Sequence, residues 1–256
     1  MPTDDFTTAI ADLKNLGGQR VWSLMISLFG DLARNEGDVI DGPILSAIMA
    51  AMDVRPEAAR VALHRLRKDH WITSQKQGRT ARHSLTPEGR AQSQAASARI
   101  YAAPDDLAKG WQMVLLEKDT PQGFENVGFT MVQPRLYVGP ANLVAPQDGL
   151  VVEGKDAPDW LKRQLEPALL EESYLQLRIA LENATRFLPK ARDLTPLEIA
   201  ALRCMIVHNW RRLALKHPAL PRPLMRDDWP GLSCHKLVAD LLARYPRPAT
   251  AQITAS

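Results

Sequence analysis

Apolar residues recur at helical spacing over residues 19–34, "QRVWSLMISLFGDLAR", where Val21, Leu24, Met25, Leu28 and Leu32 fall on one side. The polar run "NEGDVIDGP" interrupts that pattern with loop chemistry, and Pro43 suits the first turn of the next helix. "PILSAIMAAM" supplies it, with Ile44, Ile48 and Met52 in one row. Asp53, Val54 and Arg55 then turn the chain before Pro56 opens a second helix, running to about Asp69. On its wheel Ala59, Ala62, Leu63 and Leu66 form a stripe wide enough to face a core. Opposite them lie Glu57, Arg60, His64 and Lys68, flanked by Val61 and Arg67. A short helix, a tight turn and a second helix outline a helix-turn-helix.

Beyond this point the pattern becomes strand-like. "WITSQKQGRTARHSLT" holds one run with Ile72 and Thr73 and another with Ala81, His83 and Leu85, joined by the polar turn "KQGRT". A hairpin after the second helix predicts a winged helix-turn-helix. In "TPEGRAQSQAASARIYA", Thr86 is placed as an N-cap with Pro87 at N1 of a polar exit helix. From about residue 110, "GWQMVLLEK", "VGFTMVQPRLYVG" and "GLVVEG" are short β-branched and aromatic runs separated by Pro, Gly and Asn, the pattern of a small α+β domain. Residues 157–187 are helical again, interrupted near Pro167, and the last third is mainly helical around the Pro-rich loop "HPALPRPLMRDDWPG". The expected class is therefore α+β and multidomain. The parts span 19–103, 109–185 and 190–247, with soft boundaries near 103–109 and 185–193.

With 256 residues, 45% apolar and 24% charged, the chain is long enough for a full core and too apolar for a disordered protein. No fixed-period repeat or low-complexity tract is present. The start, "MPTDDFTTAI", is acidic and lacks the basic and apolar regions of a secretory signal. No apolar run reaches the roughly 18 residues of a membrane span, and Cys204 and Cys234 form neither a disulfide framework nor a CxxC pair. A cytoplasmic protein with free thiols is expected.

Charge is segregated by sign. Residues 55–90 carry nine Lys/Arg against three acids, net +6, and residues 186–247 twelve against five, net +7. With a chain total of +3, the remainder carries −10. Such asymmetry points to a partner rather than a fold. The first basic segment fits double-stranded DNA. Lys and Arg neutralise phosphates and release counterions, Arg pairs bidentately with guanine, and His and Glu report on single bases. The candidate DNA-binding residues are Arg55, Glu57, Arg60, Val61, His64, Arg67 and Lys68 on the helix and Lys76, Arg79 and Arg82 on the hairpin. The bland alternative is a solvated helix face.

Other chemistry-bearing residues have plain readings. His70 stands where the second helix ends, a place often held by left-handed Gly, and reads as a cap; Trp71 anchors the hairpin. Cys234 and His235 are adjacent without a second pair at zinc spacing, and Asp227 and Asp228 read as loop caps, so no metal site is expected. No GxSxG, GxGxxG, Walker loop or HExxH is present, and neither an enzyme nor a cofactor is indicated.

"SLMISLFGDL", "VRPEAARVALHRLRKDHWITSQKQGRTARHSLTPEGR" and "ARIYA" resemble the start of the PaaX-like repressors, regulators of phenylacetic acid degradation. "NVGFTMVQPRLYVGP" is similar to their central segment and "HNWRRLALKHPALPRPLMRDDWPG" to their C-terminal signature. The resemblance runs over about residues 20–245, and "DWPG" is its most specific part. It implies a winged helix, a ferredoxin-like (Cas2-like) middle and a C-terminal helical region. It also implies a homodimer that represses aromatic-acid catabolic genes and leaves its palindromic operator when an aryl-CoA thioester, such as phenylacetyl-CoA, binds. His208, Arg211, Arg212 and Trp229, which lie in the matching signature, are the effector-binding candidates. Their alternative role is to bind the C-terminal region to the rest of the chain, and the second basic segment could equally help hold DNA. Two departures stand out: His70 replaces an expected small residue, and "EKDTPQGFE" replaces a longer basic stretch. Two rival functions remain open. A Cas2-like metal-dependent nuclease would need an acid such as Glu117 or Asp119 at the end of the first central strand, and a winged-helix protein-interaction module would not touch DNA.

Overall fold

In the computed structural model, which describes residues 4–17, 20–118 and 128–254, the first apolar period winds into α3 (Val21–Leu32). Two short helices precede it, α1 (Asp4–Ala9) and α2 (Ala11–Asn15). A two-residue strand β1 (Ile40–Asp41) leads into α4 (Gly42–Ala51), and α5 (Pro56–Lys68) follows within four residues. Both helices end by the same device. Val54 N–H reaches back to Met49 O (3.0 Å) and Trp71 N–H to Leu66 O (2.9 Å), with Asp53 and His70 left-handed between them at φ 61° and 56°. His70 thus holds the expected left-handed cap position, and the Thr86 hydroxyl donates to its carbonyl.

β2 (Ile72–Gln77) and β3 (Thr80–Leu85) form the hairpin, and β1 adds to it in the antiparallel order β1-β3-β2, pairing Asp41 with Arg82. Thr86 caps α6 (Pro87–Ile100) by accepting from Gly89 N–H at 3.0 Å. Ala59, Ala62 and Leu66 are the buried residues of α5, and the two alanines let it pack closely on α3 and α4.

A second antiparallel sheet contains β4 (Trp111–Leu116), β5 (Thr130–Gln133), β6 (Leu136–Pro140) and β7 (Gly149–Gly154), ordered β5-β6-β4-β7. The α+β class is therefore what is observed. A ferredoxin-like unit interleaves its strands with helices. Here residues 141–148 pass from β6 to β7 in turns, because Pro140 and Pro146 bracket a link too short for a packed helix. The stretch "EKDTPQGFE" lies mostly outside the described residues, as does Asp119.

The helical part comprises α7 (Asp159–Leu165), α8 (Ala168–Phe187), α9 (Pro196–Ala214) and α10 (Pro230–Arg244). Pro167 separates α7 from α8, as the sequence predicts. The main packing of α8 is against α10, α9, α1 and α2, so this helix sits with the C-terminal helices rather than with the sheet whose sequence segment it shares. In turn α9 packs on α3 and α4. One hydrophobic core consequently runs from Phe6 to Ile253, and a small satellite of Val114, Leu116, Phe129 and Tyr137 lies against the second sheet.

A buried ion pair crosses this core. The Arg203 guanidinium on α9 donates twice to Asp31 on α3 at 2.8 Å, and the Tyr101 hydroxyl donates to the same carboxylate at 2.9 Å. Arg203 also donates to the carbonyls of Leu242 and Tyr245, satisfying the end of α10.

Candidate functional site

The outward face of α5 follows from its two stripes. With Ala59, Ala62 and Leu66 turned inward, Arg55, Glu57, Arg60, His64, Arg67 and Lys68 are exposed, and Val61 is 71% exposed among them. Arg60 keeps only a loose pairing with Glu57 at 3.9 Å, which leaves its guanidinium free to turn outward. Arg65 is held differently: it stacks over Trp22 at 4.4 Å and pairs with Asp69 at 3.3 Å. On the hairpin, Lys76 and Arg79 flank a tip turned by Gly78 at φ 60°, and both are exposed. Arg82 is the exception among the predicted residues. It is half-buried and its Nε donates to Asp41 at 3.1 Å across β1 and β3, so its charge is already engaged. Behind it, His83 is buried with Nδ1 2.8 Å from Ser74 Oγ. Burial and the Arg67 charge hold its pKa below the usual imidazole value. Chemically, this surface offers cations at helix and hairpin, an acid and an imidazole that can accept hydrogen bonds, and one apolar contact.

The four effector candidates do not converge. His208 is fully buried on α9, Nδ1 3.2 Å from Ser27 Oγ on α3. Its pKa is pushed down to about 4, first by burial and then by the Arg212 and Arg211 charges. Arg211 donates to Ser27 Oγ at 3.3 Å, and Arg212 to the carbonyls of Leu16 (3.2 Å) and Gly17. These three residues stitch α9 to the N-terminal helices. Trp229 lies elsewhere, against Tyr174 and His217, with ring centroids 5.6 and 5.7 Å away.

Trp229 borders a cavity of about 410 Å³ between α6, the second sheet and the C-terminal helices. Its inner wall includes Tyr174, Trp210, His217 and His235, and Arg99 closes one side. Of the four candidates Trp229 alone lines this cavity; His208, Arg211 and Arg212 do not. At 100° per residue, Trp210, Ala214 and His217 share one face, with His208 and Arg212 opposite. That spacing was the available signal. His217 Nδ1–H donates to Pro218 O at 2.7 Å, and burial lowers its pKa.

The adjacent Cys234 and His235 have structural partners, Tyr174 O at 3.2 Å and Ala102 O at 2.7 Å. Asp227 pairs with Arg222, and Asp228 lies 3.5 Å from Arg226. Among the described residues no three His, Cys, Asp or Glu side chains gather as a metal site would require, and no helix is long and apolar enough to cross a membrane.

The family model for PaaX-like protein matches residues 20–89, and that for PaaX-like protein C-terminal domain matches residues 166–255. The chain is 25% identical over 260 residues to transcriptional repressor PaaX of Escherichia coli (strain K12), covering 91% of this chain and 82% of that one. A solved structure, the uncharacterized protein Rv0674 from Mycobacterium tuberculosis, aligns with a TM-score of 0.46 at 17% identity, over 87% of this chain and 96% of that one. The two family models bracket the α5 surface at one end and the aromatic cavity's helices at the other, in the same chain order, and the chain belongs to the PaaX-like family.

Proposed function

We propose that the protein is a transcriptional repressor of phenylacetate-type aromatic-acid catabolic genes, and that α3 to β3 form a winged helix-turn-helix with α5 as its reading helix. The carrying observation is the α5 surface. Arg55, Arg60, His64, Arg67 and Lys68 are all exposed, Val61 stands unburied between them, and Lys76 and Arg79 project from the adjoining hairpin. The named function of the Escherichia coli relative supports the same reading. In the major groove, Arg60 and His64 meet base edges and Val61 meets a thymine methyl, while Lys76 and Arg79 meet phosphates or the minor groove. A cytoplasmic homodimer would set two such helices about 34 Å apart, one duplex turn, on a palindromic operator. An aryl-CoA thioester such as phenylacetyl-CoA would release it by binding better to a dimer geometry with the wrong spacing.

The nuclease alternative requires an acidic cluster at the end of β4. Glu117 is exposed there and its backbone carbonyl accepts from Arg135, which gives that alternative no positive support. The test of the repressor reading is fluorescence anisotropy on the gene's own upstream DNA against random duplex, across a salt series. Specific, salt-dependent binding is expected. Equal affinity for both duplexes at every salt concentration would overturn it.

A further inference from the structure

The first two helices of the chain are fastened to its far end. Phe6, Ala9, Ile10 and Leu13 are buried, with α1 packed on α8 and α2 on both α8 and α9. Polar ties follow the same route. Asn209 Nδ2 donates to Leu13 O at 3.0 Å, Arg212 to Leu16 O at 3.2 Å and to Gly17 O, and Asn183 Nδ2 to the Asp12 carboxylate at 2.6 Å. Residues 4–17 thus form an arm folded onto the C-terminal helices.

Lys14 reaches from this arm to the reading unit. It stands in the last turn of α2, and its ammonium donates to the Asp53 carboxylate in the turn between α4 and α5. The Lys14 side chain is 12% exposed and that of Asp53 73%. A stem packed along its length delivers the ammonium to one place instead of letting it sweep through solvent. Within the turn, Asp53 N–H donates to Ala50 O at 2.9 Å and Val54 N–H to Met49 O, bonds that fasten the turn to α4 but not to the arm. A cleft of about 400 Å³, bordered by Lys14, Asn15, Asp53, Arg55 and Ala58, lies beside the first turn of α5. On that side no packed side chain fills the space, and the Lys14–Asp53 pair spans it. Pro56 opens α5 three residues after Asp53, so the place of Asp53 sets where Arg55, Glu57 and Arg60 begin.

We infer that Lys14 is a positioning residue for DNA reading: by pinning Asp53 it fixes the first turn of α5 relative to α8 and α9. It acts through the turn and meets neither base nor phosphate. The effect on DNA rests on the repressor reading; the restraint on the turn does not.

The experiment makes two measurements on the full chain and its Lys14→Met, Lys14→Arg and Asp53→Asn variants. Methionine keeps the stem without the charge, and asparagine accepts the left-handed backbone without the carboxylate. Each variant should melt within about 4 °C of the parent, as the loss of one partly exposed ion pair allows. Hydrogen exchange read by mass spectrometry, without DNA, should show residues 49–60 exchanging about threefold faster in Lys14→Met and Asp53→Asn, and as in the parent in Lys14→Arg. Anisotropy should show operator affinity weakened about three- to tenfold in the first two, random-duplex affinity within about twofold, an unchanged salt slope and no further loss when the two are combined. Parent-like exchange in Lys14→Met overturns the restraint, and parent-like operator affinity overturns the positioning role. A Lys14→Met protein that weakens equally on both duplexes and loses about one unit of salt slope assigns Lys14 to a phosphate instead. An Asp53→Asn protein that binds both duplexes more tightly shows a carboxylate that merely repels DNA, and overturns the role as well. A parent with no operator preference sinks the repressor reading and leaves the exchange result standing.

Discussion

Two non-glycine residues hold the left-handed conformation at the ends of the helix-turn-helix pair, Asp53 and His70. For an L-residue this costs roughly 1–2 kcal/mol, of which a glycine recovers part, because its unfolded chain is also more flexible. His70→Gly should therefore raise stability by about 0.5–1 kcal/mol, read as a higher urea midpoint with unchanged slope. Histidines also set the acid response. The buried His208 has its pKa pushed down to about 4, below the usual 6.5, so the unfolded chain binds the extra proton first. Stability should fall as pH drops from about 6.5 to about 4, by ~3 kcal/mol for this group alone. The buried His83 and His217 act in the same direction. Urea melts between pH 7 and pH 4.5 would show the loss, and His208→Leu should flatten it whatever that change does at pH 7. At this scale the sequence was readable where the environment is local. The left-handed fate of His70 is set by the helix it ends, whereas the burial of His208 is set by α3, 181 residues away.

The elements divide along the same line. Pro43, Pro56, Thr86 and Pro87 mark starts of α4, α5 and α6 with signals carried by the residues themselves. The exposed face of α5 was legible for the same reason, since its small buried residues and its cations alternate at one helical period. The pairing of Arg82 was not legible, because its partner Asp41 comes from a two-residue strand that no periodicity marks. Near the start of the chain, Phe6, Ile10 and Leu13, spaced as one helical stripe, are fully buried in α1, α2 and the turn between them. Within the reading unit, helix and hairpin should fail differently. Arg60→Ala should cost about 1–3 kcal/mol on operator DNA and little on random duplex, while Lys76→Ala should weaken both and lower the salt slope by about one. Anisotropy on both duplexes across the salt series distinguishes them, and equal losses for Arg60→Ala would refute that division of labour.

At the scale of the whole molecule, the Asp31–Arg203 pair joins the first and last parts, its side chains 2% and 8% exposed. Arg203→Leu leaves a buried carboxylate without its counter-charge and should cost about 3–5 kcal/mol. Replacing both residues with apolar ones should recover only part of this, because the Tyr101 hydroxyl and the Leu242 and Tyr245 carbonyls would lose their partners. Urea unfolding followed by tryptophan fluorescence and by circular dichroism should give coincident midpoints in the parent, as one continuous core requires. None of this long-range packing is written in local pattern, and the division into three parts conceals it. The helix α3 shows why: Leu24, Met25, Ile26, Leu28, Phe29 and Leu32 are buried nearly all the way round, some against α5 and the rest against α9. Anyone wishing to transplant the reading unit onto a different sensor would inherit a helix greasy on both sides. A chimera cut after residue 103 should precipitate unless its new neighbour offers a matching groove, so the portable piece is the reading unit together with α9.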